Sequence, residues 1–469
     1  MEKDQKNREV TAMKKKLIKT IAILIILVLS INMLGGCVLD KTGMVNPSTN
    51  LMSGVSVKAE LTDQEVVDYL IDQDMRKSIN TFSAALFNQT LKDAKGENLL
   101  VSPISVLYAM SMCTNGADEN TRHELLKALI KGNGNEEITC GTRETPGEGD
   151  IYDEMQENLN GYLGAYLKAI EGYEKEQEKP SELHIANSIW MKNDDNFHVE
   201  EDFLQVNGKY YNAGLYKSNF DEAARITINK WIEDNTNGLI KDMLSDISEN
   251  AVMYLINALG FEAEWGDPYT DYAVSDATFH GENGDTDVKM MYSDEWGFLS
   301  DDLATGFIKH YKGYNYAFVG LLPNEGVTVD EYIGSLTGEG LYNMLTNISE
   351  EKVLAALPQF ENDSALSLVE VFQRMGVNDA FNVDKANFTK LGTYTDRNIL
   401  IGNILHNTYI KVDQQGTKAG AATVVEMNAE GAFIEQEPPK EVYLDRPFVY
   451  MIIDTNQNIP LFIGVERNI

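Results

Sequence analysis

A run of small residues near the carboxy terminus constrains the fold of this chain more than any other feature. It extends from Asp413 to Val425 and follows a strand-like stretch at residues 409–412. One face of the run has no charge and consists of Thr417, Ala419, Ala421, Thr423 and Val425. The charged Lys418 and Glu426 fall on the other face, because side chains alternate along a strand. The run therefore predicts a strand whose uncharged face meets a core, and a flexible surface loop is the alternative interpretation.

The rest of the chain predicts one α+β domain. Of its 469 residues, 43 % are apolar, which is enough for a large core. Helical periodicity comes mostly first, at residues 61–91, 103–113, 151–170 and 226–244. Strand-like runs come mostly later, at residues 182–191, 252–265, 316–322 and 448–465. With no internal repeat and no proline-rich linker after residue 60, residues 61–469 are predicted to form a single domain.

The amino terminus predicts a secreted, lipid-anchored protein. Lysines at positions 14, 15, 16 and 19 precede an uncharged apolar run at residues 20–38, as in a signal peptide. The run includes Leu34-Gly-Gly-Cys37, which resembles the lipobox of bacterial lipoproteins. We expect residues 1–36 to be removed, Cys37 to carry the lipid, and residues 37–60 to form a tether. An uncleaved membrane anchor is the alternative, and both place the domain outside the cytoplasmic membrane, on the cell surface or extracellular.

Charge and composition exclude several classes of function. The net charge of −34 repels nucleic acid, and the predicted helix at residues 151–171 has Lys168 as its single basic residue, so no heparin-type polyanion is expected as a partner. Three cysteines exclude a disulfide scaffold and a four-cysteine metal site. The six histidines are scattered, and no nucleophile or phosphate-binding motif occurs. We therefore predict no metal and no cofactor. The search finds nothing that supports an enzyme, but it does not exclude one, because catalytic triads are assembled in space.

Several blocks of sequence resemble the serpin family. Their order and spacing agree with the family from about residue 75 to the end of the chain. These blocks are Asn98–Ser105, Asn229–Gly238, Leu255–Trp265, Leu357–Phe360 with Leu368–Gly376 and Ala380–Phe381, Asp445–Phe448 and Leu461–Gly464. The resemblance implies helices packed on a large central β-sheet, further sheets, and an exposed reactive loop at about residues 414–440.

The resemblance also implies a mechanism. Most serpins inhibit serine proteases: the protease attacks the loop and forms a covalent acyl-enzyme. The cut loop then inserts into the main sheet, and the protease is dragged away and distorted before it can deacylate. The implied partner is an extracellular serine protease, and the implied state is a monomer. The alternatives are a non-inhibitory serpin-fold binding module that is cleaved as a substrate and, with no motif in its favour, a lipid-anchored hydrolase.

The family's functional positions can be matched to this sequence. The hinge of an inhibitory serpin fits Gly416 and Thr417, followed by Ala419, Gly420, Ala421, Ala422 and Thr423. Gln414 stands where the family usually has Glu, so a salt link near the top of the sheet is expected to be weaker. Such a change would ease insertion or lower native stability. The hydrogen-bonded "shutter" beneath the sheet opening matches Ser102, Ser105, Asn257 and His406, and the tryptophan of the "breach" at its top matches Trp265.

The scissile bond is placed by counting along the loop. Family spacing from Gln414 puts Glu430 before the bond and Gly431 after it, and a shift of one residue puts Ala429 before it. Glu430 suits a glutamyl-specific protease, whereas Ala429 suits elastase- or subtilisin-like enzymes. No Lys or Arg occurs between Lys418 and Lys440, so a trypsin-like target is not expected.

Overall fold

The structure is a computed structural model that describes residues 48–57, 60–132, 148–175, 181–248, 251–395, 397–417 and 438–469. Three groups of predicted residues lie outside these ranges. They are Cys37 with the signal peptide, the hinge residues Ala419 to Thr423, and the reactive-bond residues Ala429, Glu430 and Gly431. For Asn257 the structure describes the backbone alone.

The helices of the described residues lie mostly in the first half of the chain. They are α1 (Asp63–Leu70), α2 (Gln73–Ala94), α3 (Pro103–Thr114), α4 (Glu119–Lys131), α5 (Glu148–Lys175), α6 (Glu201–Tyr211), α7 (Glu222–Asn235), α8 (Val329–Ser335), α9 (Gly338–Thr346) and α10 (Val369–Arg374). The prediction of one helix over residues 61–91 is wrong. Asp72 interrupts it, because its side chain accepts hydrogen bonds from the backbone N–H groups of Asp74 and Met75 and so starts α2.

The strands form two large sheets and one short pair. The strands before residue 300 are β1 (Ser48–Asn50), β2 (Leu99–Val101), β3 (Glu182–Lys192), β4 (Phe197–Val199), β5 (Gly214–Ser218), β6 (Met253–Glu264), β7 (Val274–Gly281) and β8 (Gly284–Ser300). The later strands are β9 (Ala304–His310), β10 (Tyr316–Pro323), β11 (Ser349–Pro358), β12 (Phe360–Ser367), β13 (Gly392–Tyr394), β14 (Ile404–Val412), β15 (Gly416–Thr417), β16 (Lys440–Tyr443), β17 (Phe448–Asp454) and β18 (Ile459–Glu466).

The main sheet has the order β1-β5-β3-β6-β15-β14-β12. The second sheet has the order β16-β11-β8-β9-β10-β17-β18-β2, with β7 paired to β8, and β13 pairs with β4. Helix α3 packs against β6 and β18, and all of its residues are buried. The architecture is therefore α+β with helices on a large central sheet, as predicted.

The predicted strand at residues 252–265 is buried on both faces in its lower half. Leu255 faces the large core behind the sheet, whereas Tyr254 and Ile256 join a second cluster in front of it. Part of α7 covers this front cluster with Ile228 and Ile232. The predicted helix at residues 226–244 ends with α7 at Asn235, and the chain from there to β6 is not helical.

The first described residues extend the main sheet at its edge. Strand β1 runs antiparallel to β5, and the N–H of Leu51 donates to the carbonyl oxygen of Leu215 at 2.7 Å. Gln205 of α6 donates to the carbonyl oxygen of Ser56 at 3.1 Å. This part of the predicted tether at residues 37–60 is thus docked on the domain. Among the described residues, no helix is long and apolar enough to cross a bilayer.

Candidate functional site

The main sheet is partly open between β6 and β14. These parallel strands pair directly at two positions, Ile404 with Leu255 and Leu405 with Ile256. At the other end the short strand β15 lies between them, with Thr417 opposite both Ala263 and Val412. In the described backbone, residues 257–262 and 406–411 form no ladder with each other. The sheet therefore has an opening that is closed at its lower end and occupied by the hinge at its upper end.

Trp265 fixes the turn that leads into the hinge. Its backbone N–H donates to the carbonyl oxygen of Gln415 at 2.8 Å, and its indole Nε1 donates to that of Asp413 at 2.9 Å. The N–H of Tyr269 donates to the carbonyl oxygen between them, that of Gln414, at 3.0 Å. The indole is 1 % exposed and stacks on Tyr311 with ring centroids 4.4 Å apart. Three consecutive carbonyl groups of the turn are therefore held by one aromatic cluster.

Thr417 is seated in the sheet through its side chain. Its Oγ1 lies 2.6 Å from the hydroxyl oxygen of Tyr311, and both residues are buried. Burial raises the pKa of Tyr311, so its hydroxyl is protonated at all physiological pH values. The preceding residue must be glycine, because a Cβ at Gly416 would collide with the carbonyl oxygen of Ala263. The hinge residues Gly416 and Thr417 thus fit the top of the opening by shape and by hydrogen bonding.

A buried ion pair lies beneath the tryptophan. The Nζ of Lys309 is 2.7 Å from Oε1 of Glu295, and both side chains are largely excluded from solvent. The same Nζ lies 4.4 Å from the ring centroid of Tyr269 and 5.6 Å from that of Trp265. A cation over aromatic faces is attracted by their negative π-clouds, which helps to hold the rings in place.

Gln414 has an acidic neighbour. Its side-chain amide Nε2 lies 3.5 Å from Oδ1 of Asp271, which precedes β7. An amide that donates suits this carboxylate, whereas a glutamate at position 414 would face a like charge. The sequence predicts that Gln414 weakens a salt link near the top of the sheet. The partner in the structure is instead an acid, so glutamine is the better match.

A buried polar cluster lies beneath the middle of the opening. The N–H of Ser102 donates to Nε2 of His406 at 3.0 Å, and the N–H of Ser105 donates to Oγ of Ser102 at 3.4 Å. Thr408 donates through Oγ1 to the carbonyl oxygen of Leu100 at 2.9 Å. His406 and Thr408 are two residues apart on β14 and share its buried face. The backbone just before α3 is therefore pinned to one strand that borders the opening.

The environment of His406 keeps its ring neutral. The side chain is 2 % exposed, and burial lowers its pKa from 6.5 to about 4 because the imidazolium loses hydration. A neutral ring leaves Nε2 free to accept from Ser102. Protonation of Nε2 would remove this hydrogen bond, because the N–H of His406 would then face the N–H of Ser102.

The structure brings together most of the sequence-predicted positions that it describes. Ser102, Ser105 and His406 form one cluster, and Trp265, Gln414, Gly416 and Thr417 form another. The backbone of Asn257 lies on β6 opposite Asn187, and its side chain is not described. The Oγ of Ser105 is buried without a hydrogen-bond partner among the described residues.

Sequence reasoning missed several residues of the site. They are Thr408, Tyr311, Asp271 and the Lys309–Glu295 pair. Alternation from His406 would have put Thr408 on the same face of its strand. A lysine within the apolar run Gly306–Tyr311 was a signal for a buried cation, but nothing local indicated its partner.

Comparison with known proteins gives one consistent result. The family profile described as "Serpin (serine protease inhibitor)" matches residues 77–468. An uncharacterized serpin-like protein of Thermococcus kodakarensis is 28 % identical over 428 residues, which cover 90 % of this chain and 92 % of that protein. Human neuroserpin is 26 % identical over 402 residues, covering 83 % and 90 % of the two chains.

Two solved structures of one thermophilic serpin, tengpin, are also similar to this chain. Its native state has 36 % sequence identity and a TM-score of 0.77, covering 90 % of this chain and 100 % of tengpin. Its latent state has 35 % identity and a TM-score of 0.70, covering 88 % of this chain and 100 % of tengpin. The chain is thus more similar to the native state than to the latent one.

Proposed function

Because the chain belongs to the serpin family, whose members are mostly protease inhibitors, we propose that it is a suicide-type inhibitor of extracellular serine proteases. The observation that most supports this proposal is the opening between β6 and β14, with Thr417 already paired at its upper end. The protease serine would attack the carbonyl carbon of the residue before the scissile bond. The amide breaks, the new amino terminus leaves, and the ester that remains is trapped when the loop inserts.

The register of Thr417 supports insertion of the small-residue run. Thr417 lies opposite Ala263 and Val412. In an antiparallel strand, each further residue of the loop would pair with the preceding residue of each neighbouring strand. Continuing this register gives three pairs of partners: Phe261 and Ile410 for Ala419, Leu259 and Thr408 for Ala421, and Asn257 and His406 for Thr423. The described side chains among these partners are buried. The uncharged face of the run would therefore enter the core, whereas Lys418, opposite Glu262 and Lys411, would stay on the outer face.

The length of the opening matches the small-residue run. Lys418 to Thr423 would fill the part of the sheet in which β6 and β14 are not paired. Val424 would meet the position where Leu405 pairs with Ile256. Val425 would meet the position where Ile404 pairs with Leu255. Insertion beyond Thr423 thus requires these two strands to separate, beside the contact of His406 with Ser102. We infer that this polar cluster controls how far the loop inserts before cleavage.

Insertion would carry a trapped protease a long way. Glu430 lies thirteen residues after Thr417, which corresponds to about 44 Å of strand. The reactive bond is proposed as Glu430–Gly431, with Ala429–Glu430 as the alternative, and the target as a glutamyl-specific, elastase-like or subtilisin-like enzyme. A lipid on Cys37 would hold the monomeric inhibitor at the cell surface.

The test uses the chain from residue 38 onward, which retains every described residue. It is mixed with neutrophil elastase, subtilisin or a glutamyl endopeptidase and analysed on denaturing gels and by mass spectrometry. A complex that survives denaturant is expected, with a released fragment that begins at Gly431 or Glu430. Clean cleavage without a complex would instead favour the non-inhibitory binding module.

A further inference from the structure

A buried ion pair lies beneath the aromatic cluster that holds the turn before the hinge. The side chains of Lys309 and Glu295 are only 3 % and 13 % exposed, and their charged atoms are 2.7 Å apart. Taking two charges out of water costs about as much free energy as their attraction returns, so such a pair adds little net stability. The contacts of this pair, rather than its net stability, therefore indicate what it does.

Strand geometry directs the lysine toward the rings. Lys309 shares the inner face of β9 with the buried Phe307, because side chains alternate along a strand. It lies opposite Phe318 of β10, whose ring is edge-on to that of Trp265 with centroids 6.1 Å apart. Glu295 reaches the same place from β8. The ammonium group is thus held among aromatic rings, where water screens its attraction to their faces very little.

The pair restrains Tyr269 in particular. The Nζ of Lys309 lies 4.4 Å from the centroid of this ring, and the tyrosine hydroxyl accepts a hydrogen bond from Oγ of Ser293 at 3.4 Å. Ser293 comes two residues before Glu295 and shares its face of β8. The backbone N–H of Tyr269 donates to the carbonyl oxygen of Gln414. A fixed tyrosine ring therefore also fixes the middle of the turn.

This turn is the start of the strand that an inserting loop would form. It joins β14 to β15, and the N–H of Asp413 donates to the carbonyl oxygen of Gly416 at 3.0 Å across it. The N–H of Gln415 donates to Oδ1 of Asp413 at 2.8 Å. A loop that inserts beside β14 passes through the same turn, because the turn immediately precedes it in the chain. The position of the turn therefore sets the register in which the loop pairs with β6 and β14.

We propose that the Lys309–Glu295 pair is a positioning device for loop insertion, acting through Tyr269 and Trp265 on the turn. This proposal rests on the proposed function. A turn held in place gives the inserting strand a preformed start, so insertion is complete before water hydrolyses the acyl-enzyme. A turn that is free to shift delays the first paired residues, and the protease then leaves after cutting the loop.

The test replaces the pair by two apolar side chains, in the double variant Glu295→Leu with Lys309→Met. No charge is left buried without a partner, so the free energy of unfolding should stay close to that of wild type. The matched control is Asp294→Leu with Lys352→Met, which removes a more exposed ion pair of the same length, 2.7 Å, between β8 and β11.

Amide hydrogen exchange is the first measurement, made by mass spectrometry on peptides that cover residues 265–269 and, as a reference, β17. Without the cation the two rings are less restrained, so we expect exchange at Trp265 and Tyr269 to be at least tenfold faster than in wild type. Exchange in β17 should not change, and the control variant should match wild type in both peptides. A role in global stability alone would speed exchange in both peptides alike.

The second measurement is the number of inhibitor molecules consumed per trapped protease, for each protease that the wild-type chain traps. We expect this number to rise at least threefold in the double variant and to stay unchanged in the control. Tyr269→Leu keeps the ion pair but removes the ring that it holds. This variant should show the same two changes, and it tests the proposal if the double variant does not fold.

Three results would overturn the proposal or separate it from the proposed function. Exchange at Trp265 and Tyr269 within twofold of wild type would overturn it. Faster exchange with an unchanged number of inhibitors consumed would also overturn it, because a loose turn would then have no effect on insertion. If the wild-type chain is cleaved without forming a complex, the proposed function fails. The exchange measurement then decides alone whether the pair positions the turn.

Discussion

Tyr311 and Thr417 join the reactive-loop hinge to the main sheet through one buried hydrogen bond of 2.6 Å. Because both oxygens are buried, loss of one partner leaves the other without its bond. Tyr311→Phe is expected to lower the free energy of unfolding by about 1 kcal/mol and to release the hinge. The measurement is urea unfolding of Tyr311→Phe, Thr417→Val and the double variant. Additive effects of the two substitutions would contradict a direct coupling.

The alternation of the small-residue run gives a matched pair of substitutions. Ala421→Glu would put a charge on the inserting face, opposite Leu259 and Thr408, whereas Lys418→Glu changes charge on the outer face. We expect Ala421→Glu to be cleaved mainly as a substrate, because insertion of the loop would require the glutamate charge to be desolvated. The number of inhibitor molecules consumed per trapped protease should rise by roughly tenfold or more. Lys418→Glu should inhibit nearly as well as wild type. Gel densitometry of complex and cleaved product measures both, and equal trapping by the two variants would contradict insertion in this register.

Protonation of His406 should loosen the cluster beneath the opening. Its pKa is about 4 in the folded protein, against 6.5 when unperturbed. The folded pKa is the lower one, so the stabilising contribution is complete above pH 6.5 and is lost as the pH falls toward 4. A shift of this size corresponds to about 3 kcal/mol in the free energy of unfolding. The measurement is the unfolding free energy of wild type and His406→Gln between pH 7 and 4, with the exposed His280→Gln as control.

Another buried group titrates in the same range with the opposite sign. Burial raises the pKa of Asp454 from 3.8 to about 6, so its contribution is lost as the pH rises through 6. Asp454 is present in both proteins, and the difference between wild type and His406→Gln therefore isolates the histidine. A difference that does not change with pH would contradict the prediction.

The contact between Gln414 and Asp271 predicts the effect of restoring the family's glutamate. Gln414→Glu would place two carboxylates side by side at the top of the sheet. The hinge residues Gly416 and Thr417 should then be held less tightly in the sheet, and the melting temperature should fall. The contact is partly exposed, which limits the effect to about 1 kcal/mol or less. Asp271→Lys combined with Gln414→Glu should restore stability. If Gln414→Glu alone is as stable as wild type, Asp271 does not contribute to the hinge.

Local patterns predict the faces of strands and the ends of helices, but not the partners of buried polar groups. Alternation placed Thr417 on an uncharged face, and Ser102-Pro103 marked the start of α3 by capping. The resemblance to the serpin family predicted that His406 belongs to the polar cluster beneath the opening. The partner of Thr417 is Tyr311, more than 100 residues earlier in the chain, and the Lys309–Glu295 pair joins adjacent strands at a register that no local pattern fixes. Such contacts exist only once the sheets are assembled.

The pairing of β1 with β5 gives the domain a polarity. Ser48 of β1 lies opposite Ser218 of β5, and Ser218 lies opposite Lys192 of β3. This level of the sheet corresponds to the start of β6 at Met253. Thr417 lies at the other end of β6. The first described residue, Ser48, therefore lies at the end of the main sheet toward which an inserted loop would extend. For the proposed inhibitor, a trapped protease would therefore be carried from the hinge end of the main sheet to the end at which Ser48 lies. An attacking enzyme would be met at one end of the sheet and stored at the other, beside the edge strand β1.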